Sequence, residues 1–112
     1  MRPNEIASLF FGTLQLDNDL LRLSFDDDDP PRRAEVVINP KQSAIMKALL
    51  SLRGNVVERN ALFYSMWGRS GGDSRALDMQ VHAMRNHLGH VDPRLGGNGL
   101  IRSVYAAGYV IE

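Results

Sequence analysis

The segment that decides the fold is Asp73–Gly89, DSRALDMQVHAMRNHLG, because it is typical of one helix with two unlike faces. Four apolar residues recur at the spacing i, i+4, i+7 and i+11 of a single buried stripe: Leu77, Val81, Met84 and Leu88. At 100° per residue, the opposite face carries another set, flanked by the small Ala76 and Ala83: Arg75, Met79, His82 and Asn86. This second face is neither apolar nor a plain run of charges.

Local signals also set the two ends of this helix. Asp73 or Ser74 can cap its first amides, and Gly89 can adopt the left-handed conformation that ends a helix. The helix is about 24 Å long, which is enough to lie in the major groove of DNA. Its small residues would allow a close approach to base edges.

Two further helices precede this segment. Asn39-Pro40-Lys41-Gln42 combines a capping Asn, Pro at the first helical position and Gln at the capping-box position. We expect Gly54 to stop this first helix and Gly68 to stop the second. The predicted core faces are Ile45, Leu49 and Leu52 in the first helix, and Leu62, Phe63, Met66 and Trp67 in the second. Arg69-Ser70-Gly71-Gly72 is predicted to be a flexible linker.

Strands are predicted on both sides of the three helices. Leu9–Leu16, Leu20–Phe25 and Ala34–Ile38 should form a small N-terminal antiparallel sheet, separated in part by an exposed acidic loop over residues 26–33. After a glycine-rich loop, Leu100–Val104 and Tyr109–Ile111 should form a hairpin. The order of strands, three helices and hairpin predicts an α+β winged helix-turn-helix fold.

Length and composition bound the class of protein. The 112 residues predict one domain over 1–112, with a sheet region at 1–38 and the helices and wing at 39–112. The absence of cysteine excludes disulfides, thiolate zinc sites and cysteine nucleophiles. Thirteen basic and thirteen acidic residues balance overall, but residues 39–112 carry nine basic and five acidic side chains, which favours a nucleic-acid partner. With no signal peptide or membrane span, we expect a cytoplasmic protein.

From Asn39 onward the chain resembles the DNA-binding domain of the OmpR/PhoB family of bacterial response regulators. The resemblance rests on Pro40-Lys41, Gly54-Asn55-Val56-Val57, Met66-Trp67-Gly68, Ser74-Arg75 with Asp78, Leu88-Gly89, Ile101-Arg102-Ser103-Val104 and Gly108-Tyr109. It implies a recognition helix at 74–88, a wing at 100–111 and a bacterial transcription regulator. The N-terminal strands resemble the family's leading four-stranded sheet more weakly.

The chain differs from this family at two places where the family would contact DNA. The family commonly has basic residues in the middle of the recognition helix, where this chain has His82 and Ala83. Its wing tip usually reads Arg-Gly-any-Gly-Tyr, whereas this chain has Tyr105-Ala106-Ala107-Gly108-Tyr109. The sequence also lacks a preceding receiver domain, so we expect either an orphan regulator or an excised domain.

The candidate DNA-binding residues divide by role. Arg75 should contact the backbone, and five residues are candidate base readers: Met79, Gln80, His82, Ala83 and Asn86. A structural hydrogen bond is an equal alternative for Gln80, and an internal ion pair with Asp78 is an equal alternative for Arg85. The wing supplies Arg102 and Ser103 for phosphates and Tyr105 at its tip. Through the resemblance, Arg69, Ser70, Gly71 and Gly72 would form a loop presented to RNA polymerase.

Other classes of function have weaker support in the sequence. His82, His87 and His90 do not bring three nitrogens to one side of a helix, and Asp26–Asp29 is typical of a solvated loop, so no metal or other cofactor is predicted. No phosphate-binding loop, Gly-x-Ser-x-Gly or tuned acid–base pair predicts an enzyme. The function predicted is a double-stranded-DNA-binding transcription regulator, with paired protomers on adjacent half-sites. The alternative is a winged-helix module that docks another regulator or RNA polymerase and binds little DNA.

Overall fold

The computed structural model describes residues 6–68 and 74–112. A four-stranded antiparallel sheet comes first, in the order β1 (Ile6–Leu9), β2 (Gly12–Asp17), β3 (Leu20–Phe25) and β4 (Arg32–Val37). Three helices follow: α1 (Pro40–Ser51), α2 (Arg59–Trp67) and α3 (Ser74–Val91). A 3-10 turn at Pro93–Leu95 leads to the hairpin of β6 (Arg102–Val104) and β7 (Gly108–Val110). The α+β winged helix-turn-helix prediction is confirmed.

The hairpin belongs to a second, three-stranded sheet. A short strand between the first two helices, β5 (Val57–Glu58), pairs antiparallel with β7, so the order is β5-β7-β6. Val57 lies opposite Tyr109, and Glu58 lies opposite Gly108. This pairing fixes the base of the wing to the start of α2.

The N-terminal sheet differs from the prediction at two points. The predicted strand Leu9–Leu16 is two strands joined by a turn, because Gly12 adopts φ 151°. A side chain at Gly12 would also place its Cβ 2.0 Å from the carbonyl oxygen of Ser24 on β3. The predicted loop over residues 26–33 is two residues too long, since Arg32 and Arg33 already pair with β3.

The predicted capping box at the start of α1 is present with both of its bonds. The Gln42 backbone N donates to Asn39 Oδ1 at 2.8 Å, and the Asn39 backbone N donates to Gln42 Oε1 at 3.1 Å. Pro40 occupies the first turn, as predicted. α1 ends at Ser51, three residues before the predicted stop at Gly54.

The apolar stripe of α3 is fully buried, as predicted. Leu77, Val81 and Leu88 have no exposed surface and Met84 is 1% exposed, and they share one core with Ile45, Leu49 and Leu62. The predicted end of the helix is wrong, because α3 continues past Gly89 to Val91. The absent side chain of Gly89 instead permits close packing, since a Cβ there would lie 3.3 Å from Gly96 Cα.

Two residues of the predicted core are exposed instead. Leu52 is 49% exposed because it lies just beyond the end of α1. The Trp67 side chain is 44% exposed, and the Lys41 Nζ lies 4.2 Å from the centre of its ring. α2 has only nine residues, and Leu62 and Phe63 are its buried positions. Trp67, the last residue of α2, therefore packs on the surface against Phe63 and beneath Lys41.

Candidate nucleic-acid interface

The outer face of α3 presents a continuous exposed stripe, defined here as Arg75, Met79, His82, Ala83 and Asn86. Met79 is 70% exposed, although a side chain of this kind is usually buried. The opposite stripe holds the helix against α1 and α2, so the outer stripe faces away from the core. Nothing is described of the side chain of Ser74, nor of Arg69, Ser70, Gly71 and Gly72, so the predicted polymerase loop lies outside the described residues.

Two side chains of the stripe bond to each other. Asn86 Nδ2 lies 3.2 Å from His82 Nε2, one helical turn away. His90 Nδ1 bonds the backbone carbonyl oxygen of Asn86 at 2.7 Å on the other side. His82 and Asn86 are therefore linked to each other on the surface of the helix.

Gln80 lies beside the stripe and is hydrogen-bonded to Asn39, the N-cap residue of α1. Asn39 Nδ2 donates to Gln80 Oε1 at 3.1 Å, while the Oδ1 of the same Asn39 caps α1. This geometry favours the structural alternative for Gln80 over base reading.

Arg85 fastens α3 to the wing. Its Nη2 donates to the Ile101 carbonyl oxygen at 2.6 Å and to Ser103 Oγ at 2.8 Å, and its Nε donates to Ile101 at 3.1 Å. The same Nη2 lies 3.2 Å from Asn98 Oδ1. The guanidinium is part-buried, and this burial lowers the pKa of Arg85. These four contacts to residues 98–103 favour a structural role for Arg85 over a phosphate contact.

The ion pair with Asp78, which was one of two equal alternatives for Arg85, does not form, because Asp78 pairs with Arg59 instead. Arg59 Nη2 lies 2.7 Å from both carboxylate oxygens, and the Tyr109 hydroxyl donates to Asp78 Oδ1 at 2.5 Å. Burial alone would raise the pKa of Asp78, but the bonds from Tyr109 and Arg59 lower it below the ordinary value. Burial and the bond to Asp78 raise the pKa of Tyr109.

Sequence reasoning missed Arg59 and Tyr109 as members of this cluster. They come from α2 and β7, which lie 19 and 31 residues from Asp78 along the chain. No helical or strand period connects positions so far apart. The cluster joins α2, α3 and the wing through one carboxylate.

The wing residues predicted to meet DNA differ in what they contact. Arg102 forms an ion pair with Glu112, beyond the end of β7. Ser103 accepts from Arg85, and its backbone N donates to Asn98 Oδ1 at 2.9 Å. Tyr105 is 98% exposed at the tip, next to Ala106 at φ 59°. Tyr105 is therefore the side chain that the wing presents most openly.

A second ionic cluster, also missed from the sequence, fixes the far end of α3. Asp92 Oδ2 accepts from Arg32 Nη2 at 2.6 Å and from Arg94 Nη2 at 2.8 Å, and Asp92 Oδ1 accepts from the Arg94 backbone N at 2.9 Å. Hydrogen bonding by Arg94 lowers the pKa of Asp92 to about 2. Both guanidiniums lie over the ring of Phe25, at 4.1 and 5.1 Å. The C-terminal end of α3 is thus tied to the N-terminal sheet.

Within residues 6–68 and 74–112, no three His, Asp or Glu side chains are arranged to hold a metal ion. Asp28, in the acidic loop, lies 3.2 Å from Arg94 and 3.6 Å from Arg32, so arginine is its observed partner. Over the same described ranges, no helix is long and apolar enough to cross a membrane.

Three comparisons with known proteins agree on one class. The family model described as "Transcriptional regulatory protein, C terminal" matches residues 33–111. The response regulator protein PmrA of Pseudomonas aeruginosa is 37% identical over 78 residues, which make up 69% of this chain and 32% of that protein. The solved C-terminal domain of the nisin resistance regulator NsrR, a lantibiotic response regulator, matches with TM-score 0.64 and 25% identity over 94% of this chain and 96% of its own.

An exposed helix face beside a hairpin, on this order of strands and helices, defines a winged-helix DNA-binding domain of a transcription regulator. Such a domain binds DNA and is not an enzyme. More particularly, the chain belongs to the family of transcriptional regulatory protein C-terminal domains, the OmpR/PhoB-type effector domains of response regulators. It spans about a third of the length of its relative PmrA.

Proposed function

We propose that this domain recognises specific double-stranded DNA by inserting the exposed stripe of α3 into a major groove, while the β6–β7 hairpin contacts the adjacent backbone. One observation carries the proposal: the stripe is exposed along about three turns of a helix whose opposite stripe is at most 1% exposed. A helix held in this way offers a rigid face of the length that the groove accepts.

The chemistry of the stripe divides the expected contacts. Met79 and Ala83 offer apolar surface that suits the methyl group of thymine, and Asn86 offers the amide that pairs with adenine. Arg75, exposed in the first turn, suits a phosphate. Gln80 and Arg85 serve the interface by holding α3 in place, since both are bonded to neighbouring elements.

The wing has to act without the arginine that its family usually carries at the tip. Tyr105 is placed to pack against the sugar-phosphate backbone, and Arg102 would exchange Glu112 for a phosphate on docking. This exchange costs part of the gain from the phosphate contact. We therefore expect modest affinity for a single site and dependence on two protomers bound at adjacent half-sites.

Arg75→Ala tests the docking mode. We expect weaker binding to every duplex and a salt slope that falls by about 0.9, because one phosphate contact is lost. Fluorescence anisotropy on one-site and two-site duplexes selected from genomic DNA, over a salt series, measures both quantities. Arg33→Ala is the matched control, since Arg33 is exposed on the N-terminal sheet. Equal losses in the two variants would contradict the proposed face.

RNA polymerase is proposed as a second partner through Arg69, Ser70, Gly71 and Gly72, in the bacterial cytoplasm where the chromosome lies. The support is the resemblance in sequence and the place of these residues between α2 and α3. Replacing them should reduce transcription while DNA affinity stays unchanged. Parallel losses of transcription and affinity would refute this separate role. Absence of binding to any duplex at low salt, with the fold intact, would instead favour a protein-docking module.

A further inference from the structure

The bond between His82 and Asn86 has a defined direction. An amide nitrogen can only donate, so Asn86 Nδ2 donates to His82 Nε2 across 3.2 Å. Both side chains are exposed on the outer stripe, where no packing against the core would otherwise fix them.

We propose that His82 is a positioning residue that orients Asn86 to read adenine, rather than a second reader of bases. This inference rests on the proposed insertion of α3 into the major groove. Asparagine reads adenine with two bonds, its Oδ1 accepting from N6 and its Nδ2 donating to N7. Nδ2 carries two hydrogens, so one can stay on His82 while the other and Oδ1 face the base.

The orientation matters because the terminal torsion of an asparagine is broad and roughly two-fold. An untethered amide would present nitrogen and oxygen in either order and would lose that freedom on binding. The bond to His82 selects one order in the unbound protein, and such preorganisation lowers the cost of binding. The turn that follows is held as well, because His90 Nδ1 bonds the Asn86 carbonyl oxygen at 2.7 Å.

A double-mutant cycle separates positioning from direct reading. His82→Ala, Asn86→Ala and the double variant are titrated with the preferred duplex and with duplexes altered at the adenine that depends on Asn86, including 7-deazaadenine, which lacks N7. We expect the native domain to prefer adenine there by roughly 10- to 100-fold. His82→Ala should lose most of this preference, and the double variant should lose no more than Asn86→Ala.

Two further variants make the result specific. His82→Gln should recover part of the preference, because its Oε1 can accept from Asn86 Nδ2. His87→Ala, on the same helix but outside the stripe, should change nothing. Affinity for a duplex without the site should be equal in all variants, and thermal unfolding should be unchanged because every altered residue is exposed.

Independent, multiplicative losses from His82→Ala and Asn86→Ala, at different base pairs, would show that His82 reads a base itself and would overturn the inference. An unchanged adenine preference in His82→Ala would overturn it as well. In both cases the native domain still binds its site, so the proposed function survives. If the folded native domain binds no duplex, the proposed function fails and the inference fails with it.

Discussion

Asp92→Asn tests how the C-terminal end of α3 is fixed to the N-terminal sheet. The Asp92 side chain is 8% exposed and accepts from two arginines. The amide oxygen of asparagine can still accept from the Arg94 backbone N and Nε, but its nitrogen replaces the oxygen that accepts from Arg32 and from Arg94 Nη2. Two guanidiniums would then share the ring of Phe25, with the more distant carboxylate of Asp28 as their remaining acidic partner.

The magnitude follows from the pKa of Asp92, which is lowered from 3.8 to about 2. At about 1.4 kcal/mol per unit of pKa, the charged carboxylate stabilises the fold by at most about 2.5 kcal/mol. The two arginine side chains are 41% and 38% exposed, so screening by water reduces the expected loss to about 1 to 2 kcal/mol. This corresponds to a melting temperature lower by roughly 4 to 8 °C.

The sign of the pH dependence is fixed as well. The pKa of Asp92 is lower in the folded state than in the unfolded state. The stabilisation by its carboxylate is therefore complete above the unfolded-state pKa and is lost as the pH falls toward about 2. Urea unfolding followed by circular dichroism should therefore show a difference between native and Asp92→Asn that is constant near neutral pH and shrinks below about pH 5. Asp27→Asn, exposed in the acidic loop between β3 and β4, is the control. A difference under about 0.5 kcal/mol at pH 7, or one that does not shrink in acid, would refute the reasoning.

Two further predictions concern α3. Leu88→Ala or Val81→Ala should lower the free energy of unfolding by about 2 to 4 kcal/mol because both side chains are fully buried, and unchanged thermal stability in both would mean that the helix face is wrong. Arg85→Ala should weaken DNA binding through a displaced wing and leave the salt slope unchanged, because its guanidinium bonds Ile101 and Ser103; a slope that falls as in Arg75→Ala would place Arg85 on a phosphate instead.

The sequence was sufficient to predict those features that depend only on residues close together in the chain. The capping box at Asn39 and Gln42 and the buried stripe through Leu77 and Leu88 need only residues within a few turns of the same helix. The errors have distant causes. Gly12 begins β2 after a turn, where β3 passes so close that a Cβ would meet Ser24, and Gly89 packs on Gly96 within α3 instead of ending the helix.

The candidate site divides in the same way. Exposure of the stripe from Arg75 to Asn86 follows from the helical period, so the sequence was sufficient to predict it. The partners of Arg85 could not be predicted, because its neighbour on the helix, Asp78, is occupied by Arg59 from α2. Which charges pair is decided by tertiary contacts, and no spacing within α3 contains that information.

Trp67 gives the domain an intrinsic fluorescent reporter on its surface. It is the only tryptophan in the sequence, it is 44% exposed, and it lies two residues before Arg69 in the segment proposed to meet RNA polymerase. Its indole is already partly exposed to solvent and lies beneath the Lys41 ammonium, so its emission should shift less on unfolding than that of a buried tryptophan. A protein that covers this end of α2 would exclude solvent from the indole and move the emission to shorter wavelength. The same indole can therefore signal when a partner is bound.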